Sequence, residues 1–518
     1  MSIDGVGGSF PYPEMEEITI VTLQQAMAAG EMTSAAISER YLARIDAIDR
    51  NGPGLNSVIE VNPEALAIAA TLDDERAAGS TRGPLHGIPI LLKDNIDTAD
   101  AMQTTAGSLA LLDSRPGQDA TLAARLRRAG AVILGKTNLS EWANFRSSNS
   151  ASGWSARGGQ CHNPYVLDHS PCGSSSGSAA AVAANLCAAA LGTETDGSIV
   201  CPSTACGVVG IKPTVGLTSR AGVIPISHSQ DTIGPHARTV ADATALLGAL
   251  IGVDPRDPAT AASAGKFHTS YTQFLDFDGL RGARIGVPRH RYWGYNPDAD
   301  RIGEAALDLM RQLGAEIIDP ADIPTADALG EEPGEFEVLL YEFKADLNAY
   351  LTDRGHPTIA TLADVIAFNA ANAAAEMPFF GQEIFLQAQE RGPLTDRLYR
   401  DTLARNRRLS QAEGIDAVMD AYRLDALVAL GGPSWPTDAI NGEPDIQSIS
   451  SPAAQAGYPI VSVPAGFAGE LPVGINFVGR AWSEPTLIRF AAAFEAAFPA
   501  RRPPRFLPTW QGGDLTAG

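Results

Sequence analysis

Residues 87–95, "GIPILLKDN", hold five consecutive apolar residues between a glycine and a polar turn. A short apolar run with such boundaries is typical of a buried strand. A predicted helix, "DATLAARLRRAG", and a second apolar run, "AVILG" at residues 131–135, follow it. Nearly continuous apolar strands that alternate with helices indicate a parallel or mixed sheet covered on both faces. We therefore expect an α/β fold.

The same pattern continues toward the C-terminus. The segments "ARIGVPR", "DALVAL", "YPIVSVP" and "PVGINFVG" predict further strands, and residues 239–251 and 486–498 predict helices. We expect one domain over residues 1–518. Its regions are an N-terminal helical region (1–80), a core (81–258), a helical excursion that shapes the substrate pocket (259–423), and C-terminal strands and a helix that complete the core (424–518).

The charge balance limits the class of partner. The chain of 518 residues has 38 Lys and Arg against 60 Asp and Glu, a formal net charge of −22. Nucleic-acid binding needs clustered cations, so we expect no nucleic-acid partner. The longest apolar run, residues 179–191, is too short to cross a bilayer, and the N-terminus lacks a signal-peptide pattern. We expect a cytoplasmic protein without membrane contact.

The five cysteines are odd in number and crowd into one region of the chain. This usage argues against a disulfide framework and favours a reducing compartment. A metal site could be built from Cys161, His162, His169 and Cys172, but their spacing matches no usual zinc pattern. We expect neither a metal nor another cofactor.

Lys93 stands at the end of the first predicted strand, where α/β proteins place their ligands. Burial at this position lowers the pKa of a lysine, and bringing it from about 10.4 to about 7 takes roughly 4–5 kcal/mol. A neutral lysine amine can serve as a general base. The alternative is a charged lysine paired with Asp94 or Asp97.

Residues 171–184, "PCGSSSGSAAAVAA", place Ser174, Ser175 and Ser176 between two glycines. An alanine-rich segment follows and predicts a helix over residues 179–190, so the serine loop supplies free N–H groups at a helix start. The alternative is a flexible turn in which one serine caps the helix. The loop also matches the G-x-S-x-G pattern, but no strand precedes it, which argues against a nucleophile elbow.

A second polar turn lies in residues 191–203, "LGTETDGSIVCPS". Successive backbone N–H groups in such a turn form a nest that can hold an oxyanion. Ser198, at the end of the turn, could attack a carbonyl bound there. The alternative is that Ser198 is an ordinary cap or turn residue.

Together these segments resemble the amidase signature family. The resemblance is carried by "GPLHGIPILLKDNID", "GAVILGKTNLSEWANF", "SPCGSSSGSAAAVAA", "GTETDGSIVCPSTACGVVGIKPTVG" and "SQDTIGPHARTVADA". It is dense from about residue 21 to residue 252 and resumes near residues 427–479. It implies an amidase domain with the amidase signature fold, an α/β/α sandwich around a large mixed sheet.

The resemblance also implies roles for individual residues. Ser198 matches the nucleophile, Lys93 matches the base, and Ser174, on a cis peptide, matches the serine that bridges them. Ser175 matches a supporting serine. The implied oxyanion hole consists of the backbone N–H groups of Thr195, Asp196, Gly197 and Ser198. Such a Ser-Ser-Lys triad hydrolyses carboxamides through an acyl-enzyme and needs no metal.

Departures from the usual family pattern narrow the substrate class. Asp196 and Val200 flank the nucleophile where most members have glycine and arginine, and Cys172 and Ser176 replace glycines. With these variants the chain resembles peptide amidases. We therefore expect ammonia release from C-terminally amidated peptides or amino acid amides, by a monomer or homodimer whose partner is a small-molecule or short peptide amide.

Three alternatives stay open. The first is an amidase of aryl amides, esters or carbamates, since one acyl-enzyme mechanism serves all of them. The second is the glutaminase subunit of a tRNA-dependent amidotransferase, which would need partner subunits. The third, a non-catalytic binding protein, is expected to lack Lys93, Ser174 or Ser198, all of which are present.

Overall fold

The structure, a computed structural model, describes residues 10–444 and 448–510. The strands in these ranges are β1 (Val58–Val61), β2 (Pro89–Lys93), β3 (Val132–Thr137), β4 (Trp154–Ser155), β5 (Gly159–Gln160), β6 (Ala189–Glu194), β7 (Val209–Lys212), β8 (Thr232–Ala237), β9 (Arg284–Gly286), β10 (Glu316–Ile318), β11 (Ala426–Gly431), β12 (Ile460–Ala468) and β13 (Leu471–Val478).

The α-helices in the same ranges are α1 (Ile20–Ala28), α2 (Ser34–Arg44), α3 (Ala65–Ala77), α4 (Thr121–Arg128), α5 (Ser176–Ala183), α6 (Val200–Ala205), α7 (Val240–Leu250), α8 (Arg289–Tyr292), α9 (Pro297–Gln312), α10 (Ala326–Leu329), α11 (Glu335–Arg354), α12 (Leu362–Ala371), α13 (Ala373–Glu376), α14 (Glu383–Gln389), α15 (Arg397–Ser410), α16 (Asp416–Tyr422), α17 (Ser450–Ala456) and α18 (Glu484–Ala497). Of these described helices, none has both the length and the apolar character needed to span a membrane.

One sheet of eleven strands organises the described chain, in the order β1-β3-β2-β6-β8-β7-β12-β13-β11-β9-β10. The β2 strand lies between β3 and β6 and runs parallel to both, whereas β6 pairs antiparallel with β8. Every residue of β2, β3 and β6 is buried, as expected for strands covered on both faces. The predicted α/β fold around a large mixed sheet is confirmed.

The alanine-rich segment differs from its prediction. The sequence predicts a helix over residues 179–190, but α5 ends at Ala183 and β6 begins at Ala189. Just after the helix, Asn185 has a φ of 58° and turns the chain, and the Leu186 N–H donates to the Ala181 carbonyl. Alanine favours a helix in isolation, but its small side chain also fits a strand enclosed on both faces. Pairing with β2 and β8 therefore decides the local structure.

The helical excursion lies against the core of the protein. It carries α8 to α16, and its strands β9 and β10 form one edge of the sheet. Side chains from α11, α12 and α14 form a second hydrophobic cluster with Leu139, Trp142 and Phe145, which follow β3. This packing brings α11 next to the segments that carry the polar site.

Candidate active site

Lys93 ends β2 with a fully buried side chain. Its Nζ donates to Ser174 Oγ at 2.8 Å and to Ser175 Oγ at 3.1 Å. It also contacts the Thr193 hydroxyl at 2.9 Å and the Thr193 carbonyl at 3.3 Å. Two of the predicted serines therefore meet the predicted lysine. Thr193, on the neighbouring strand β6, completes the cluster and was not predicted.

The alternative ion pairs of the lysine do not form. Asp94 pairs with Arg157 at 3.1 Å, and Asp97 accepts a hydrogen bond from Tyr350 at 2.8 Å. In the described part of the chain, Lys93 has hydroxyl and carbonyl partners but no carboxylate partner. The interpretation of Lys93 as a salt-bridge residue is therefore wrong.

The surroundings of Lys93 set its protonation state. Burial lowers the pKa of its ammonium group to about 7, while the carboxylates of Asp231 and Glu194 oppose part of that effect. Around pH 8 Lys93 is therefore a neutral amine in most molecules, and a neutral amine can accept a proton from the Ser174 hydroxyl. The lowered pKa agrees with the expectation from the sequence.

The serine loop is fixed by backbone and side-chain contacts. The Gly173–Ser174 peptide is cis, and the Ser174 carbonyl accepts from the Ser140 N–H at 3.1 Å. Ser175 occupies the N-cap position of α5, but its hydroxyl does not cap the helix. Ser175 Oγ instead donates to the Thr193 carbonyl at 3.0 Å and accepts from the Thr193 N–H at 3.2 Å. The loop is therefore fastened to β6, and is not a flexible turn.

Ser198 lies in the turn between β6 and α6. Its exposed fraction is 8%, against 0% for Lys93, Ser174 and Ser175. The Ser175 N–H donates to the Ser198 carbonyl at 3.2 Å, which joins the two loops. Of the lysine and the three serines, Ser198 is therefore the one whose side chain a substrate can reach.

The turn before Ser198 presents unused backbone donors. Gly197 has a φ of 77°, which reverses the chain without side-chain strain. Within residues 10–444 and 448–510, the backbone N–H groups of Asp196, Gly197 and Ser198 donate to no protein acceptor. The next two N–H groups, of Ile199 and Val200, donate to the buried Glu194 carboxyl. The free donors are suited to stabilise an oxyanion.

Two further carboxyl groups that the sequence did not single out face this turn. Asp231 accepts from the Thr195 hydroxyl at 2.6 Å, and burial raises the pKa of Asp231 to about 6. Glu335, the first residue of α11, lies against Asp196, and burial together with that neighbour raises the pKa of Glu335. Gln230 donates to Glu335 at 2.6 Å and to the Thr195 carbonyl at 3.3 Å. The helical excursion thus reaches the turn.

Cys172 and Cys201 form a disulfide, with 5.9 Å between their Cα atoms. The cysteine usage of the sequence argues against a disulfide framework and does not predict this bond; Cys161, Cys187 and Cys206 are buried free thiols. An odd count does not reveal this pair, because the serine loop and α6 meet only in the folded chain. With Cys172 bonded, the metal set considered from the sequence lacks one of its four ligands.

Comparison with known proteins identifies the family of this chain. The family model described as Amidase matches residues 36–488. The chain belongs to the amidase family. A probable amidase of Arabidopsis thaliana is 45% identical over 501 residues, which cover 95% of this chain and 92% of the relative. One subunit of the glutamyl-tRNA(Gln) amidotransferase of Chloroflexus aurantiacus is 36% identical over 503 residues, with coverage of 93% and 97%.

Solved structures of peptide amidases are similar to this amidase over nearly the whole chain. One, in complex with the competitive inhibitor chymostatin, is 52% identical with a TM-score of 0.91, covering 95% of this chain and 99% of its own. The native peptide amidase of Stenotrophomonas maltophilia is 52% identical with a TM-score of 0.89, covering 96% and 100%. The resemblance to the amidase signature family and its peptide amidases is confirmed, and the protein is a serine hydrolase that acts on amides.

Proposed function

We propose that this amidase removes the C-terminal carboxamide of peptides and amino acid amides as ammonia, using Lys93, Ser174 and Ser198 as a proton-relay triad. The observation that carries the proposal is the buried Lys93 amine, which lies 2.8 Å from Ser174 Oγ and has a pKa of about 7. A lysine in this state can do the work of the histidine found in other serine hydrolases.

In the first step, Ser198 Oγ attacks the substrate carbonyl carbon. The Ser198 proton moves to Ser174 Oγ as the Ser174 proton moves to Lys93 Nζ, so the amine becomes an ammonium group. The carbonyl oxygen becomes an oxyanion, which is stabilised by the N–H groups of the turn at residues 195–198. Ser175 and Thr193 keep the lysine in place.

In the second step, the relay runs in reverse. Lys93 returns a proton through Ser174 to the substrate nitrogen, the C–N bond breaks, and ammonia leaves the acyl-enzyme. A water molecule then attacks the ester on Ser198, with the neutral Lys93 again accepting a proton through Ser174. Collapse of this second intermediate releases the carboxylic acid and restores the Ser198 hydroxyl.

The peptide-amide specificity is supported by similarity and by the variants near the nucleophile. The peptide amidases above are 52% identical to this chain, whereas the amidotransferase subunit is 36% identical. Asp196, which replaces the usual glycine, lies against Glu335 and accepts from Ser451 at 2.7 Å. We propose that the enzyme acts without partner subunits, as a monomer or homodimer.

Ammonia release from a substrate panel tests the proposal. The panel is an amidated dipeptide, free glutamine, an aliphatic amide and an anilide followed by its aromatic amine, with Ser198→Ala protein as the blank. We expect Ser198-dependent deamidation of the dipeptide and none of glutamine. If glutamine alone is hydrolysed, or size-exclusion chromatography places the active protein only in a complex with other subunits, the amidotransferase alternative is correct. A preference for the anilide would show that the substrate is an aryl amide and not a peptide amide.

A further inference from the structure

A cavity of about 370 Å³ opens beside the Lys93 cluster. Its inner end is formed by Asn95, Thr193 and Thr195. Thr193 contacts Lys93, and Thr195 belongs to the turn that ends in Ser198. Ser198 itself does not line the cavity, but the cavity borders the residue that contacts Lys93 and the turn that carries Ser198.

Part of the cavity lining is apolar, and another part is a single helix face. The apolar wall consists of residues 223–226, two of which, Ile224 and Ile226, also belong to the second hydrophobic cluster. The helix face belongs to α11 and carries Asp346, Ala349, Tyr350 and Asp353, which are spaced by three, one and three residues. This spacing puts all four side chains on one side of the helix. The cavity thus combines an aliphatic segment with carboxylates in its lining.

The charged groups of the cavity carry a negative excess. Its four carboxylates outnumber its two guanidinium groups and one imidazole; these groups are Asp231, Asp257, Asp346, Asp353, Arg220, Arg256 and His228. Both cations are engaged, since Arg220 pairs with Asp257 at 2.6 Å and Arg256 donates to the Asp119 carbonyl at 3.1 Å.

The two carboxylates of α11 differ in their partners. Asp346 accepts a hydrogen bond from His228 at 2.8 Å. Burial lowers the pKa of His228, but the carboxylates of Asp346 and Glu342 raise it by more, so the pKa of His228 lies above its ordinary value. The exposed carboxylate of Asp353, in contrast, has no ion pair or hydrogen bond with any described residue. Asp353 is therefore the carboxylate that is free to bind a cation.

The inner end of the cavity holds an unused acceptor. Asn95 is only 2% exposed, and its Nδ2 donates to the Thr193 hydroxyl at 3.0 Å. Its Oδ1 is buried and, among the residues that the structure describes, has no partner. A buried amide oxygen without a hydrogen bond is destabilising, and a ligand N–H group that reached it would remove that cost. This acceptor belongs to a residue that lines the same cavity as the carboxylates.

We propose that this cavity binds the side chain of the residue that carries the amide, and that it favours lysine or arginine there. The aliphatic part of such a side chain lies along residues 223–226, and its cationic end lies at Asp353 beside Asp346. Asn95 Oδ1 accepts a hydrogen bond from a substrate N–H group. The inference rests on the proposed peptide-amide activity and adds its side-chain preference.

The test compares kcat/KM for N-acetylated amides of arginine, lysine, leucine and glutamate. The wild-type enzyme is expected to process the arginine and lysine amides at least about tenfold better than the glutamate amide, and this preference should shrink as salt is raised. Equal values for the cationic and anionic amides, or a preference for the glutamate amide, would overturn the inference while leaving the proposed function intact. If no amide in the series is deamidated, the proposed function itself is wrong.

Variants of Asp353 test whether this residue causes the preference for cationic side chains. Asp353→Asn should lower the arginine-to-leucine ratio of kcat/KM about fivefold, mainly through KM, and Asp353→Lys should turn the preference toward the glutamate amide. Asp278→Asn is the matched control, since Asp278 is exposed and pairs only with Arg281 among the described residues. It removes the same charge and should leave the ratio unchanged. An unaltered ratio in Asp353→Lys protein that retains the wild-type unfolding temperature would contradict the assignment.

Discussion

At the scale of single residues, the decisive property of the site is that Lys93 is buried among hydroxyl groups. A lysine that met a carboxylate here would stay protonated and could not accept the Ser174 proton. Instead Asp94 and Asp97 are engaged by Arg157 and Tyr350, and the nearest negative charges oppose the lowering of the Lys93 pKa only in part. The mechanism therefore depends on the triad and also on the positions of the neighbouring carboxylates, because these set the protonation state of Lys93.

This dependence predicts a pH profile. Activity requires neutral Lys93, so kcat/KM for an amidated dipeptide should fall about tenfold per pH unit below about pH 7 and level off above it. Asp231→Asn removes a charge that raises the Lys93 pKa, so it should move the midpoint to lower pH. Lys93→Arg, which stays protonated, should lose at least about a hundredfold in kcat/KM at every pH. A profile that stays flat from pH 5 to pH 8 would exclude Lys93 as the base.

The two triad serines should respond differently to a fluorophosphonate. Ser198→Ala removes the proposed nucleophile, so no covalent adduct is expected by intact-mass spectrometry. Ser174→Ala keeps the nucleophile but interrupts its path to Lys93, so labelling should be slower than in the wild type and still reach Ser198. Equal labelling rates in the two variants would contradict this division of roles.

At the scale of elements, β6 positions both the lysine and the serine loop through Thr193. The sequence predicts β2 and β3, because their apolar runs are short and bounded by turn residues. It does not predict β6, since alanine is compatible with helix and strand, nor β8, whose Gly234 and Pro235 are unusual in a strand. Only the pairing of β6 with β2 and β8 resolves this ambiguity, and that pairing is a long-range contact.

The packing of β6 predicts the effect of adding one methyl group. A Cβ at Gly192 would clash with His236 Nε2 and would lie 2.7 Å from Ser175 Oγ. Gly192→Ala should therefore cost about 1–3 kcal/mol of unfolding free energy and also lower kcat, because Ser175 is displaced from Lys93. Gly117→Ala is the control, since nothing lies within 4 Å of its added Cβ. Denaturant unfolding and kcat/KM measured on both variants check this expectation, and a Gly192→Ala enzyme with wild-type values would refute it.

At the scale of the whole molecule, residues 259–423 contribute side chains of the site and of the cavity that could not be assigned from the sequence. Each triad candidate lies in a contiguous sequence motif of its own, so sequence resemblance identifies it. Glu335 and Asp353 come from a helix more than 130 residues after Ser198, and no local pattern indicates which face of α11 meets the turn. The fold and the triad candidates could thus be predicted from the sequence, whereas the cavity walls required the three-dimensional packing.

The cysteine pairing is also a property of the folded chain, and counting the free thiols tests it. The chain has five cysteines, of which three are free thiols in the structure. Thiol titration in denaturant without reductant should therefore give three equivalents, rising to five after reduction and removal of the reductant. Five equivalents before reduction would show that Cys172 and Cys201 are not bonded in the purified protein.

The Cys172–Cys201 bond has a topological consequence. It closes a covalent ring across 29 residues, and both Ser174 and Ser198 lie inside it. A single protease cut between the two serines would open the ring without separating the halves, so both serines would remain on one covalently connected molecule. Such a nicked enzyme would migrate as one band without reductant and as two fragments with it, each fragment carrying one of the two serines.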